Sequence, residues 1–146
     1  MSSEDERSID TLIAAFYSAF DNRARPRVDN GDTGSVRWAA ELRAMFIAEG
    51  RVTRMSPTAV ETWNVDDFIT PRIVMLSDGT LTNFHEWEIE GATTVLGRIA
   101  SRQSRYRKSG RLKGEPYSGE GRKLIQLCRV EERWLIVSVL WEDLPD

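Results

Sequence analysis

Thr80–Arg107 reads TLTNFHEWEIEGATTVLGRIASRQSRYR, and its pattern decides the fold class. No sustained apolar stripe of helical period runs through it, and β-formers dominate. The texture persists to the end of the chain. It resolves into four strands at roughly 80–90, 93–107, 120–130 and 133–142. The expected connections are Gly91-Ala92, a long loop over 108–119 and a tight turn at Glu131-Glu132. Short links between successive strands imply antiparallel pairing.

Upstream of Thr80 the periodicity is helical. Ser3-Glu4-Asp5-Glu6 has capping-box spacing, and an acidic first turn suits the positive end of a helix dipole. Ile9, Leu12, Ile13, Phe16, Tyr17 and Phe20 then form an apolar stripe, which Asp21-Asn22 and Pro26 end. Residues 22–35 read as a loop. Trp38, Leu42, Met45 and Phe46 predict a second helix that stops at Gly50. Short strands follow at 51–55 and 58–63. Asn64 can cap a third helix, and Thr70-Pro71 would begin a separate short one through Leu76. Helices first and a meander after is an α+β pattern. The expected architecture is one domain over residues 1–146. In it a cone-shaped, curved antiparallel sheet carries three N-terminal helices on its concave side and leaves an internal pocket for a small organic ligand.

Composition narrows the function. The chain has 146 residues, 40% of them hydrophobic, enough for a real core. Twenty Lys and Arg stand against 23 Asp and Glu, so a generally basic nucleic-acid binder is disfavoured. Residues 98–123 are locally basic, but aromatic interleaving is limited to Tyr106 and Tyr117, and a solvated hairpin, or one reaching an acidic patch on a second copy, is expected. Cys128 is the only cysteine, so no intrachain disulfide forms. His85 is the only histidine, which excludes HExxH and two-histidine zinc sites. Neither GxGxxG nor GxxxxGK[ST] occurs, and no GxSxG presents a nucleophile. No cofactor or metal is expected. The acidic start is no signal peptide and no apolar run could span a membrane, so a cytoplasmic location is expected.

Strand alternation nominates the site. Phe84, Glu86 and Glu88 share one face, with His85 and Trp87 on the other. A Glu86 carboxylate in an apolar cone would suit general acid or base work, unless Arg98 or Arg102 pairs with it. Ala100, Arg102, Ser104 and Tyr106 also share a face. There Ala100 and Ser104 leave room for a helix or a ligand, and Tyr106 offers a hydroxyl. Gln126, between Leu124 and Cys128, would be a buried amide needing a partner. Tyr17 and Trp38 complete the candidate ligand contacts. The last two strands are apolar on both faces: Leu124, Cys128, Leu135, Val137 and Val139 against Ile125, Leu127, Trp134, Ile136 and Leu140. The face turned outward is expected to make a homodimer.

The order of elements, with IDTLIAAFYSAFDNR, AMFIAEGRVTRM, FHEWEI, GRIASRQSRY, GEGRKLIQL and RWLIVSVLWED, resembles the nuclear-transport-factor-2-like superfamily over roughly residues 8–144. It is similar to bacterial members without an assigned activity. The resemblance implies a cystatin-like α+β roll, shared by ketosteroid isomerase, limonene-epoxide hydrolase, scytalone dehydratase, SnoaL-like cyclases and non-catalytic modules, so fold does not choose function. Scytalone dehydratase-like chemistry uses two histidines, one more than this chain has. For isomerase-like chemistry Tyr17 matches the tyrosine donor, but Arg51-Val52-Thr53-Arg54-Met55 lacks the carboxylate base. Hydrolase-like chemistry would find Glu86 or Glu88 with Arg102, and no clear second carboxylate.

Overall fold

The computed structural model describes residues 3–23 and 33–145, with side chains omitted at 33–36. Helix α1 spans Glu4–Ser18 and α2 spans Thr33–Arg43. Strands β1 (Phe46–Met55) and β2 (Val60–Asn64) precede α3 (Val65–Ser77). The long strands β3 (Leu81–Leu96), β4 (Ile99–Leu112), β5 (Glu115–Val130) and β6 (Arg133–Asp143) complete the chain. The six strands run β2-β1-β6-β5-β4-β3. Every neighbouring pair is antiparallel except β1 and β6, so the sheet is mixed. The helices cover its inner face.

The start of α1 is as its sequence predicts: the Glu6 N–H donates to Ser3 Oγ at 3.0 Å, and Ile9, Ile13, Phe16 and Tyr17 are buried. The helix stops at Ser18, short of Asp21-Asn22, because Asn22 is claimed elsewhere. Its amide donates to the carbonyls of Leu76 and Leu81 at 3.1 and 2.7 Å, while its Oδ1 accepts the Phe84 N–H at 2.7 Å. Its own N–H donates to the Phe84 carbonyl at 3.1 Å. One side chain thus ties the exits of α1 and α3 to the entry of β3. The same bonds take Phe84 out of the β3–β4 ladder, where the register shifts between Thr82 and His85. The expected loop over 22–35 lies largely outside the described residues, and its last three positions open α2 instead.

Four local expectations are corrected by long-range contacts. The second helix does not run on to Gly50. Phe46 opposite Ile136, and the Ile136 N–H donating to the Met45 carbonyl at 2.8 Å, draw the chain into β1. Pro71 does not divide the third helix. Asn64 caps α3 through the Asp67 N–H at 2.8 Å, and one helix continues past the exposed Pro71. Phe68 and Ile69 before it and Ile73 and Leu76 after it are anchored in the same core, which outweighs the forfeited hydrogen bond. The third correction concerns glycine. Gly91-Ala92 is not a turn but lies inside β3, with Gly91 opposite Ser104. A Cβ at Gly91 would lie 2.6 Å from Arg102 Nη2 and from both Glu88 carboxylate oxygens, so the glycine marks a close approach. The turn falls at Gly97-Arg98. Likewise the expected loop over 108–119 is strand, with Ser109 opposite Ser118 and a two-residue turn at Lys113-Gly114.

The inner face carries Ala100, Arg102, Ser104 and Tyr106 from β4 and Lys123, Ile125 and Leu127 from β5, all buried. On β6 simple alternation fails. Gln126 faces Ser138 and Leu127 faces Ile136, which leaves Val137 as a bulge. Ile136 and Val139 are therefore both buried, and Leu140 points outward instead of inward. The outer face exposes Ile99, Leu124 (53%) and Leu140 (40%). No helix among the described residues is long and apolar enough to cross a membrane.

Candidate functional site

Between α1, α3 and the inner sheet lies a cavity of about 300 Å³. That volume is at the low end of the roughly 300–1,000 Å³ usual for small-molecule sites. Phe16 of α1, Phe20 just after it, Phe68 and Met75 of α3, Phe84 of β3 and Trp141 of β6 form much of its apolar wall. Its charged groups are Arg54, Arg72, Lys108, Lys123, Glu86 and Asp143.

Glu86 and Tyr106 both line this cavity. The expected arginine is not on Glu86. Lys123 is, with Nζ 3.2 Å from Glu86 Oε1 and both side chains largely buried. The ammonium also lies over the Tyr106 ring at 4.5 Å and the Tyr17 ring at 4.9 Å, so the rings and the carboxylate share the task of replacing its water. The Tyr106 hydroxyl donates to Asp143 Oδ1, which Lys108 also reaches at 3.1 Å, and Arg54 meets Oδ2 at 3.4 Å. Burial alone would push the Asp143 carboxyl up. The Tyr106 hydrogen bond and the Lys108 and Arg54 charges overcome it and hold Asp143 below its ordinary value. Tyr106 moves the other way: burial first, then the bond to Asp143, raise its phenol far above the usual value.

Arg72 stands apart. Its guanidinium lies over the rings of Phe68 (4.1 Å), Trp63 (5.0 Å) and Trp141 (5.6 Å). Its Nη1 donates to the Phe68 carbonyl at 3.0 Å. Burial, aided by Arg54, pushes it down to about 10, which leaves it cationic at neutral pH.

Arg102, Ser104 and Tyr17 form a separate chain of bonds beside the cavity. Arg102 makes a two-bond fork to Glu88, at 3.1 Å from Nε and 2.5 Å from Nη2. Its Nη1 reaches Asp10 at 2.5 Å and Thr93 at 2.7 Å. Ser104 donates to Glu88 Oε2 at 2.6 Å, so the Tyr17 hydroxyl, 2.7 Å from Ser104 Oγ, must be the donor to it. The room beside Ser104 is thus taken by Tyr17 of α1. Trp38 lies away from the cavity and donates from Nε1 to the Ala19 carbonyl, fastening α2 to the end of α1. Gln126 is not a buried amide. It lies exposed on the outer face and accepts from Ser138 Oγ at 2.9 Å. His85 is half-exposed and stacks on Trp87 at 4.5 Å, away from Glu86. The basic run on β4 and β5 meets acids of neighbouring strands, as in Arg107–Glu120, Arg105–Glu90 and Arg122–Glu142.

Of the residues nominated by sequence, Glu86 and Tyr106 meet at the cavity, while Tyr17, Trp38, Arg102, Ser104 and Gln126 do not line it. Arg54, Arg72, Lys108, Lys123 and Asp143 were missed. The signal for Arg72 was a lone charge in the apolar stretch FITPRIVML. Lys108 and Asp143 carried none, because they meet only when β4 and β6 flank β5.

No family model and no curated protein matches the chain. Solved structures do. A nuclear-transport-factor-2-like protein with a cystatin-like fold from Novosphingobium aromaticivorans superposes with a TM-score of 0.68 at 16% identity, covering 97% of this chain and 82% of that one. A cystatin-like protein of unknown function from Nostoc punctiforme gives 0.70 at 13% identity over 100% and 96%. A nuclear transport factor 2 superfamily protein from Salmonella enterica gives 0.68 at 14% identity over 96% and 91%. With this likeness and its own curved, helix-covered sheet, the chain has the nuclear-transport-factor-2-like, cystatin-like α+β fold.

Proposed function

We propose that the chain is a small-ligand-binding domain whose ligand occupies the cavity between α1, α3 and the inner sheet. The observation that carries this reading is a cavity of about 300 Å³ walled by aromatic rings yet supplied with charged groups. The test uses 2-naphthol, a neutral aromatic probe. On titration, amide shifts should move at Phe16, Phe84 and Val139. Val139→Phe, which fills the cavity from β6, should abolish them while leaving the circular dichroism unchanged. Shifts confined to the outer sheet face would refute the reading.

A second reading makes the chain an isomerase, cyclase or hydrolase with Glu86 as general acid or base. It is favoured by Glu86 and Tyr106 sharing the cavity wall while Arg102 is engaged by Glu88. Lys123 weighs against it, since it occupies the carboxylate that would have to move a proton. Binding is therefore the preferred function.

The outer face supports a homodimer. Met55, Leu124 and Leu140 line a groove of about 490 Å³ there, flanked by Glu90 with Arg105 and Arg122 with Glu142. An apolar strip bordered by both signs of charge is self-complementary under a two-fold axis, so a second copy is the occupant that fits.

A further inference from the structure

We propose that the cavity's ligand is an organic monocarboxylate with an aromatic or otherwise apolar body, its carboxylate paired with Arg72. The inference rests on the binding reading above and adds the chemical class of the ligand. It starts from how the cavity's charges are matched. Four cations and two carboxylates line the wall. Glu86 takes Lys123. Asp143 is shared by Lys108 and Arg54, and Arg54 also reaches Glu61 at 3.9 Å. Arg72 is left over. Among the described residues no carboxylate lies within ion-pair distance of it, and its one hydrogen bond goes from Nη1 to the Phe68 carbonyl. A guanidinium has five N–H donors in a planar fork, so most of that capacity has no protein acceptor.

The surroundings of Arg72 hold it in place without neutralising it. Phe68, Trp63 and Trp141 offer their ring faces, and Trp63 and Trp141 are themselves stacked at 5.9 Å. Such rings replace some lost hydration but bring no counter-charge. A half-buried cation fixed in this way is prepared for an anion, because its orientation is settled before the partner arrives. One uncompensated positive charge calls for one negative charge. A carboxylate supplies one, in a plane that matches the guanidinium fork. A phosphate dianion would bring a second, repelled by Glu86 and Asp143 on the same wall. The rest of the ligand must then lie against Phe16, Phe20, Phe84, Met75 and Leu81, which selects an apolar body, and the volume suits one or two rings.

Calorimetry and amide-shift mapping on the full chain decide the matter, with 2-naphthoate and its neutral isostere 2-naphthamide as probes. The acid is expected to bind at least about tenfold tighter than the amide, with shifts at Arg72, Phe68 and Trp141. Arg72→Gln should remove that preference by weakening the acid alone, and Arg72→Lys should restore part of it. Equal affinity of acid and amide for the wild-type cavity would overturn the charge assignment and leave the binding reading intact. Equal weakening of both probes by Arg72→Gln would overturn it too, by reducing Arg72 to a packing role. If neither probe nor 2-naphthol moves a cavity amide, both readings fall. Should Arg72→Gln not fold, the wild-type comparison of acid with amide decides alone.

Discussion

Arg102 forks onto Glu88, and Glu86, the neighbouring glutamate on the same face of β3, is thereby left to Lys123. The pairing divides the polar interior in two. One half is a closed set of bonds beneath α1; the other lines the cavity. Gly91 makes the division possible, since any side chain there would occupy the space in which Arg102 meets Glu88.

Glu88→Gln should therefore destabilise the fold without touching the cavity. It halves the charge facing a buried guanidinium, with Asp10 still in place. A loss of about 3 kcal/mol is expected, the low end for breaking a buried pair, read from urea denaturation. Arg43→Gln, which breaks an exposed pair with Asp66, should change stability by less than about 0.5 kcal/mol in the same assay.

Tyr106→Phe should weaken the fold in a pH-dependent way. Asp143 titrates below its ordinary 3.8 in the folded chain, so its contribution is present above that value and is lost as pH falls through the folded one. Removing the Tyr106 hydroxyl moves the Asp143 carboxyl back up. The variant should be about 1–2 kcal/mol less stable than wild type at neutral pH, and the gap should narrow as Asp143 protonates. A gap that stays constant down to acid unfolding would contradict this account.

Alkali should unfold the chain through its tyrosines. Burial, ahead of every other influence, raises the phenols of Tyr17 and Tyr106 well above their ordinary value of 10.0. Stability is then full below the unfolded value and declines as pH rises past it, because only the unfolded chain ionises there. Ultraviolet titration should show these two phenols ionising together with the loss of far-ultraviolet circular dichroism. Their ionisation in a still-folded chain would refute this.

Asn22→Ala should cost about 3 kcal/mol, since it strips partners from two carbonyls and one N–H at the junction of α1, α3 and β3. Asn22→Asp should cost more, because a carboxylate would face two carbonyl oxygens. Hydrogen exchange at the Phe84 amide should accelerate in both.

The outer-face proposal predicts a dimer by sedimentation at micromolar concentration. Leu124→Lys should give monomer with its circular dichroism retained, because Leu124 is already exposed in the single chain. A wild-type monomer at that concentration would remove the proposal.

What the sequence determined by itself was everything set by near neighbours. The Ser3 and Asn64 caps and the α1 stripe depend on contacts within one helical turn. The shared face of Ala100, Arg102, Ser104 and Tyr106 follows from alternation along one unbroken stretch of strand. Tertiary structure decided whatever needed a distant partner. The Met45–Ile136 bond ended α2, the Asn22 bonds accompany the shifted register of β3, and the bulge at Val137 carried Val139 inward and Leu140 outward. Gly91 illustrates the limit most directly. Its lack of a side chain reads equally well as a turn or as clearance, and only the Arg102 guanidinium, arriving from the next strand, settles which. The site obeys the same division: Glu86 and Tyr106 followed from alternation. The pairing of Glu86 with Lys123, and the lone guanidinium of Arg72 among three rings, arise only when α3 closes on β6 and β5 lies beside β4.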